Sequence, residues 1–427
     1  MFLVYQLLYV IFTVCYLPIF LLRKKYHPQA LMRLGIFPAG LKDKLKDKKV
    51  IWLHTVSVGE AQAAAELVKH LREQYPDFSL VISTVTKTGN KIAQRLAQPE
   101  DAVIYLPLDI GWIVKRVIKL LRPRAFIVAE TEIWPNLVTN LSKAEVPIIL
   151  INGRVSAGSY RGYGLVYPFF KIILDKFSLF CMQTKTDAEK IINLGAATEK
   201  VKITGNMKFD VEQPLISSPK ADLDLADEQR LLIAGSTHRG EEEMVLEVYK
   251  DLVRRYQDLR LLIAPRHIER TAEVEKIVAK AGFNSQRVSE LDSNLPPTTY
   301  HPLPILILDT IGQLRSLYSA AEIVFIGGSF IRHGGQNPIE PALFSKPILF
   351  GAHMSNFSDI AEVFLKNDAA IMVKNPQQLT QQCANILNDS ARAKTLGQKA
   401  KQVVQRNRGT TLRNIECIKA IISNGGG

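Results

Sequence analysis

Residues able to do acid–base chemistry or to hold anions recur in this chain at one kind of place, the few positions after a short apolar run. His54-Thr-Val-Ser57-Val-Gly59-Glu60 closes the run VIWLH at 50–54. A glutamate at such a strand-to-helix turn can take a proton from a hydroxyl as a general base. The same Ser57-x-x-Glu60 spacing also makes a capping box, in which the serine and the glutamate satisfy each other's end of the first turn. Gly59 suggests that another group approaches the helix start closely. Ala129-Glu130-Thr131-Glu132-Ile133-Trp134-Pro135-Asn136 ends a second apolar run. Two carboxylates this close can raise the pKa of one of them, or one can cap the helix that follows. Lys208 stands in Thr204-Gly205-Asn206-Met207-Lys208-Phe209-Asp210, beside a turn-forming Gly-Asn pair.

The second half repeats the arrangement with a different chemistry. Gly235-Ser236-Thr237-His238 precedes an acidic helix start, Glu241-Glu242-Glu243. A strand, a Gly-Ser turn and a helix can cradle a phosphate on backbone amides and the helix dipole, or can simply be a tight turn. Pro265-Arg266-His267 offers a guanidinium for bidentate phosphate contact. Gly327-Gly328-Ser329 and Gly334-Gly335-Gln336-Asn337-Pro338-Ile339-Glu340-Pro341 form a glycine-rich stretch ending in an acid. Glu340 there is suited to accept both hydroxyls of a ribose. No GxGxxG and no GxxxxGK[ST] occurs, which counts against a dinucleotide enzyme and a P-loop NTPase.

The elements that must position these residues are short apolar strands alternating with helical patterns. Strands are expected at 50–54, 79–86, 102–108, 125–130 and 146–152. After a polar, proline-containing break near 210–228, strands are expected again at 231–237, 259–266, 304–310, 322–328 and 347–351. That alternation predicts an α/β protein with two parallel, doubly wound sheets. Two Rossmann-like domains facing an interdomain cleft are the outline of a GT-B glycosyltransferase, and the outline also fits nucleotide-sugar epimerases. Ligands in such sheets sit beyond the carboxyl ends of the strands.

Charge and hydropathy add a surface to this outline. The chain has 427 residues, a net charge of +13 and four cysteines with no CxxC pair. That argues against a disulfide scaffold and a cysteine zinc site, and fits a reducing compartment. Residues 1–210 hold 29 Lys and Arg against 17 Asp and Glu, so nearly all the excess lies in the first half. An anionic partner for that half follows. Nucleic acid is disfavoured because no zinc-finger, RNP or basic-zipper pattern is present. Residues 1–22 carry no charge and Arg23, Lys24 and Lys25 follow at once. This predicts a retained N-terminal membrane-anchor helix with the body on the cytoplasmic side, or a helix lying in the interface. Residues 23–49, including Lys42, Lys44, Lys46, Lys48 and Lys49, read as a basic juxtamembrane segment on anionic lipid or as a solvated tether. The expected divisions are then 1–22, 23–49, 50–210 for an acceptor-binding domain, 211–228 for a linker and 229–427 for a donor-binding domain.

Taken together, the motifs HTVSVGE, AETEIWPN, NGRVSAGS, TGNMKFD, GSTHRGEEE, APRH and GGQNPIEP, in that order along nearly the whole chain, resemble the 3-deoxy-D-manno-octulosonic acid (Kdo) transferases of lipopolysaccharide assembly. The resemblance implies an inverting GT-B enzyme with no cofactor and no metal. Its donor would be CMP-Kdo and its acceptor the lipid A precursor (lipid IVA), at the cytoplasmic face of the inner membrane. It implies that Glu60 is the general base and that Glu130 and Lys208 stabilise the transition state. It assigns CMP contacts to Pro265, Arg266, Ile311, Gly312, Gln313, Asn337, Pro338, Ile339 and Glu340. Gln313 stands where the family pattern often has an acid. The rival readings are another GT-B UDP-sugar transferase or epimerase, and a membrane-tethered nucleotide-binding module without catalysis.

Overall fold

The computed structural model describes residues 5–7, 9–11, 13, 15, 30–56, 60, 63–213, 220, 223–291 and 303–424. Most of the expected anchor, residues 23–29 of the basic segment, Ser57 and Gly59 of the first motif and much of the expected linker lie outside these. The chain forms two compact units, one of Met1–Asp210 with Asn407–Gly427 and one of Val211–Arg406.

The first unit is built on seven parallel strands: β1 (Lys49–His54), β2 (Phe78–Thr84), β3 (Ala102–Tyr105), β4 (Pro123–Ala129), β5 (Ile148–Gly153), β6 (Leu179–Met182) and β7 (Val201–Ile203). Their order is β3-β2-β1-β4-β5-β6-β7. Central strands read as unbroken apolar runs because both faces are covered. Along β1, Val50 and Trp52 enter one core while Ile51 and Leu53 enter the other. On β4, Phe126 and Val128 follow the first pair, and Ile127 and Ala129 the second. Trp52 sits edge-on to Phe126, with ring centroids 4.9 Å apart. Its indole N–H donates to Ser83 Oγ at 2.8 Å, which satisfies the polar end of a fully buried ring.

The second unit repeats the plan with β8 (Arg230–Thr237), β9 (Leu259–Pro265), β10 (Ser285–Arg287), β11 (Ile305–Ile307), β12 (Ile323–Ile326), β13 (Ile348–Phe350) and β14 (Ile371–Met372), ordered β10-β11-β9-β8-β12-β13-β14. Helices Glu241–Val253 and Pro376–Asn388 bury Tyr249, Leu252, Leu379, Cys383 and Ile386 in its core. Four strands in the two sheets escape the sequence pattern: β6, β7, β10 and β14. Three of them are edge strands two or three residues long, and β10 is Ser-Gln-Arg, with no apolar residue to signal it.

The chain's end departs from the expected division. Helix Thr410–Asn424 belongs to the first unit, not to a second domain running to 427. Its Ile415 and Ile418 are buried in the first unit's core beside Leu67 and Leu71. Asp210 caps it, accepting Gly409 N at 2.7 Å and Thr411 N at 2.5 Å. An amphipathic helix announces its apolar face but not which sheet the face will cover.

Among the described residues no helix is long and apolar enough to cross a membrane. The described N-terminal residues are helical and meet the first unit at Asp109. Tyr5 donates its hydroxyl to Asp109 Oδ2 at 2.8 Å. The same carboxylate accepts Asn136 N at 2.9 Å and Leu137 N at 2.8 Å, so it caps helix Pro135–Lys143 across the chain. Burial raises its pKa against those hydrogen bonds. Asp109→Ala would leave two buried helix-start amides without an acceptor, and should destabilise the first unit by about 3 kcal/mol. Denaturant unfolding followed by hydrogen exchange in that unit measures it, with Asp109→Asn expected to lose less.

Candidate active site

In each sheet the chain first winds outward one way and then the other, so the loops on either side of one strand pair leave in opposite directions. This switch point lies between β1 and β4 in the first sheet and between β8 and β12 in the second. Such crevices at the carboxyl ends are the natural ligand sites of open α/β sheets.

Glu60 and Glu130 follow the two strands of the first switch point. Glu60 is half-buried at a helix start and its Oε2 accepts Val56 N at 2.7 Å. Ser57, the other half of the expected capping box, lies outside the described residues. Glu130 has a left-handed backbone, φ +57°, held by its N–H bond to Ile151 O at 2.9 Å. A non-glycine residue in that region stores local strain, which clusters at functional sites. Thr131 beyond it exchanges hydrogen bonds with the backbone of Arg154, fixing the turn.

Glu132 completes a carboxylate cluster. Burial, reinforced by the negative charges of Glu60 and Glu130, raises its pKa to about 7. Near neutral pH this carboxyl is protonated about half the time, so it can donate a hydrogen bond that an ionised carboxylate cannot. The sequence pairs Glu130 with Glu132 but gives no sign of how far burial will perturb Glu132.

Lys208 is placed by a run of amides across the carboxyl ends of β5, β6 and β7. Asn152 O accepts Gln183 Nε2 at 2.9 Å, and Gln183 Oε1 accepts Asn206 Nδ2 at 2.9 Å. Asn152 Oδ1 accepts Met207 N at 3.0 Å, and Asn206 Oδ1 accepts Lys208 N at 2.9 Å. A satisfied, largely buried network of this kind holds backbone rigidly. Asn152 and Gln183 carry no motif signal of their own.

In the second unit the residues assigned to CMP follow three strands, β11, β9 and β12. Pro265 ends β9, and Arg266, exposed beyond it, is tied to the β8 end by its N–H bond to Thr237 O at 2.9 Å. Ile311, Gly312 and Gln313 form an exposed turn after β11, in which Gly312 takes φ +94°. Asn337 Oδ1 accepts Ile339 N at 3.0 Å, and Pro338 and Ile339 are buried beside it. Asn337 Nδ2 also faces Glu340 Oε1 at 3.4 Å. Burial raises the Glu340 pKa, opposed by Arg315, Asn337 and Arg266. Glu340, Arg266 and Arg315 thus share one electrostatic neighbourhood.

The turn after β8 differs from the phosphate cradle expected of it. The buried Glu241 carboxylate accepts His238 N at 3.1 Å, Gly328 N at 2.6 Å, Ser329 N at 3.0 Å and Phe330 N at 2.9 Å. These amides are already held by the chain's own anion, which binds the loops after β8 and β12 together. Gly327 has to be glycine here, because a Cβ would stand 2.5 Å from Ser236 O. A separate depression of about 590 Å³, lined by residues including His353, Met354 and Lys366, contains none of the assigned residues.

Residues 30–211 match the family described as 3-deoxy-D-manno-octulosonic-acid transferase (kdotransferase). A 3-deoxy-D-manno-octulosonic acid transferase of Haemophilus influenzae is 32% identical over 373 residues, 86% of each chain. Another, of Rickettsia felis, is 31% identical over 84% of this chain and 76% of its own. Among solved structures, a glycosyltransferase from Rickettsia africae matches 88% of this chain and 100% of its own at a TM-score of 0.60 and 13% identity. The UDP-GlcNAc 2-epimerase of Neisseria meningitidis matches 86% of this chain at 0.55 and 11%. These last two likenesses show a shared GT-B-like fold and nothing finer.

The raised Glu132 pKa carries a stability signature. The unfolded carboxyl loses its proton near its ordinary 4.5 and the folded one near 7, so stability falls as pH rises across that interval. Glu132→Gln should therefore stabilise the first unit at pH 8 by roughly 1–2 kcal/mol, after allowing for remaining solvent contact. The gain should vanish below pH 4.5. Thermal unfolding of both proteins across this range measures it.

Proposed function

The chain belongs to the 3-deoxy-D-manno-octulosonic acid (Kdo) transferase family, and from that premise we propose how it moves Kdo from CMP-Kdo to the lipid A precursor. It is a glycosyltransferase of lipopolysaccharide core assembly. The first unit takes the acceptor and the second takes the donor. The observation that carries this division is the contrast between the two switch points. Carboxylates gather at the first, and guanidiniums around a buried carboxylate gather at the second.

The Glu60 carboxylate takes the proton of the acceptor hydroxyl as that oxygen attacks the anomeric carbon of Kdo. The new C–O bond forms on the face opposite the departing phosphate, and the old C–O bond breaks with its electron pair leaving on CMP. The released phosphate is already anionic, so the leaving group requires no proton. Glu130 stabilises positive charge that develops at the anomeric carbon, and Lys208 stabilises negative charge on the departing group. Pro265, Arg266, the 311–313 turn and 337–340 hold CMP, with Glu340 accepting from the ribose hydroxyls.

In this reading the acceptor is a lipid, so the first unit works at a membrane surface, on the cytoplasmic face of the inner membrane. Lys42, Lys44, Lys46, Lys48 and Lys49 are all exposed. Trp112 and Leu165 are 61% and 88% exposed, and a unit that exposes both cations and large apolar side chains suits an anionic bilayer. Residues 1–22 supply the anchor in this reading.

Glu60→Gln should leave the fold nearly intact, because the amide can keep the bond from Val56 N, while transfer falls by about 10²–10⁴. A radiolabelled transfer assay beside a thermal melt tests this. Near-wild-type turnover would leave Glu60 as a cap alone. Arg266→Ala and Glu340→Ala should raise the KM for CMP-Kdo and leave the acceptor KM near its original value. Protection from thermal unfolding by CMP but not UDP separates this reading from a UDP-sugar enzyme of the same fold.

A further inference from the structure

Three histidines of the second unit have no part in the chemistry above. His238 follows β8, His267 follows β9 and His333 lies in the loop after β12, so the three flank the second switch point from three strands. The rings of His238 and His333 stack with centroids 4.2 Å apart at 14°, and His267 stands edge-on to His238 at 6.0 Å. Gln336 Nε2 donates to His238 Nε2 at 3.3 Å, which leaves the ring proton on Nδ1.

We infer that His238, His333 and His267, bordered by Arg266, form a subsite for the carboxylate that the donor's sugar carries next to its anomeric carbon. This rests on the CMP-Kdo reading. That donor brings two anionic groups, a phosphate and a carboxylate, and the nucleotide residues account for the first.

The charge balance around the cluster asks for an anion. Three acids near it are already engaged, and Glu340, whose field reaches Arg266, is itself shared with Arg315 and Asn337. Glu241 accepts four backbone amides. Glu242 accepts Thr237 Oγ1 at 3.0 Å and Arg270 at 2.7 Å. Glu273 is bound by Arg239 and Arg270. Arg266 forms no salt bridge among the described residues. The positive field shows in His238, whose pKa falls to about 4 through burial and the fields of His333, His267, Arg266 and Arg270. Clustered groups that repel one another in the free protein mark a place where a ligand supplies the missing charge. The loops that carry them are also pinned, by Glu241 after β8 and β12 and by the Arg266–Thr237 bond after β9. The imidazoles are therefore preorganised on backbone that does not have to move.

A carboxylate suits the site better than a second phosphate does. It is planar and singly charged, and can accept from imidazole N–H groups on two sides. A sugar-borne carboxylate would also let the cluster distinguish an acidic ulosonate from neutral nucleotide sugars that this fold carries elsewhere.

The test is the KM for CMP-Kdo and the competitive Ki for CMP in His333→Phe. His333 is exposed, and phenylalanine keeps the stack while removing both ring nitrogens. Loss of one charge-assisted bond should raise the donor KM about tenfold and leave the CMP Ki within about twofold. The carboxylate is present before and during the reaction, so kcat should hold. His333→Arg, which restores a donor, should recover most of the KM. A CMP Ki that rises in parallel would overturn the inference by giving the cluster to the phosphate. No change in either constant would overturn it by leaving the stack purely structural. A wild-type enzyme that CMP fails to inhibit would overturn the CMP-Kdo reading itself, a result distinct from both.

Discussion

Parallel strands that are buried on both faces can present polar chemistry only at their ends. The interior cannot hold an unpaired polar group without a cost of about 1–3 kcal/mol, and the flanks of both sheets are covered by helices. The active groups must therefore sit on the loops, and the loops at the carboxyl ends are spread apart only where the winding reverses. Once β1 and β4, and β8 and β12, are neighbours, the positions after them become the open places in each sheet. Glu60, Glu130, His238 and the glycine-rich loop all occupy such positions.

The same constraint sets the conspicuous use of buried and half-buried carboxylates as receptors for backbone amides. Asp109, Asp210 and Glu241 each accept hydrogen bonds from loop or helix-start amides far away in sequence. Each converts a mobile connection into a fixed one. A carboxylate accepting several N–H groups is well satisfied without a cation, so these acids stiffen the site while leaving the neighbouring arginines and histidines available. Glu241 is the clearest case, because it occupies amides that otherwise would be a ready anion cradle.

The two units then diverge in electrostatics on a common backbone plan. The first gathers like-charged carboxyls until one of them is held near neutrality. The second gathers imidazoles and guanidiniums until one imidazole is held neutral. In both, burial is the largest cause and like charge adds to it. A proton acceptor for a hydroxyl and a receptor for an anionic donor are the chemistries those two fields favour.

Much of this was legible in the sequence for a physical reason. Strands covered on both faces must be continuous apolar runs, so ten of the fourteen and their intervening helices could be read locally, as could the motifs closing β1, β4, β8 and β9. Glu60, Glu130, Lys208, Arg266 and Glu340 could be singled out as candidates because they stand beside turn residues near those ends. What needed the tertiary structure were properties shared between distant segments. The short strands β7, β10 and β14 exist because a neighbour supplies their hydrogen bonds. Helix Thr410–Asn424 covers the first sheet because Asp210 and the apolar face above Leu67 and Leu71 receive it. The raised pKa of Glu132 also belongs here, because its burial depends on what packs over it. His238, His267 and His333 become one cluster only when β9, β8 and β12 lie side by side. The local chain determined which residues stand at strand ends, but pairing and burial, which are sums over the whole fold, decided which of them meet and what charge they carry.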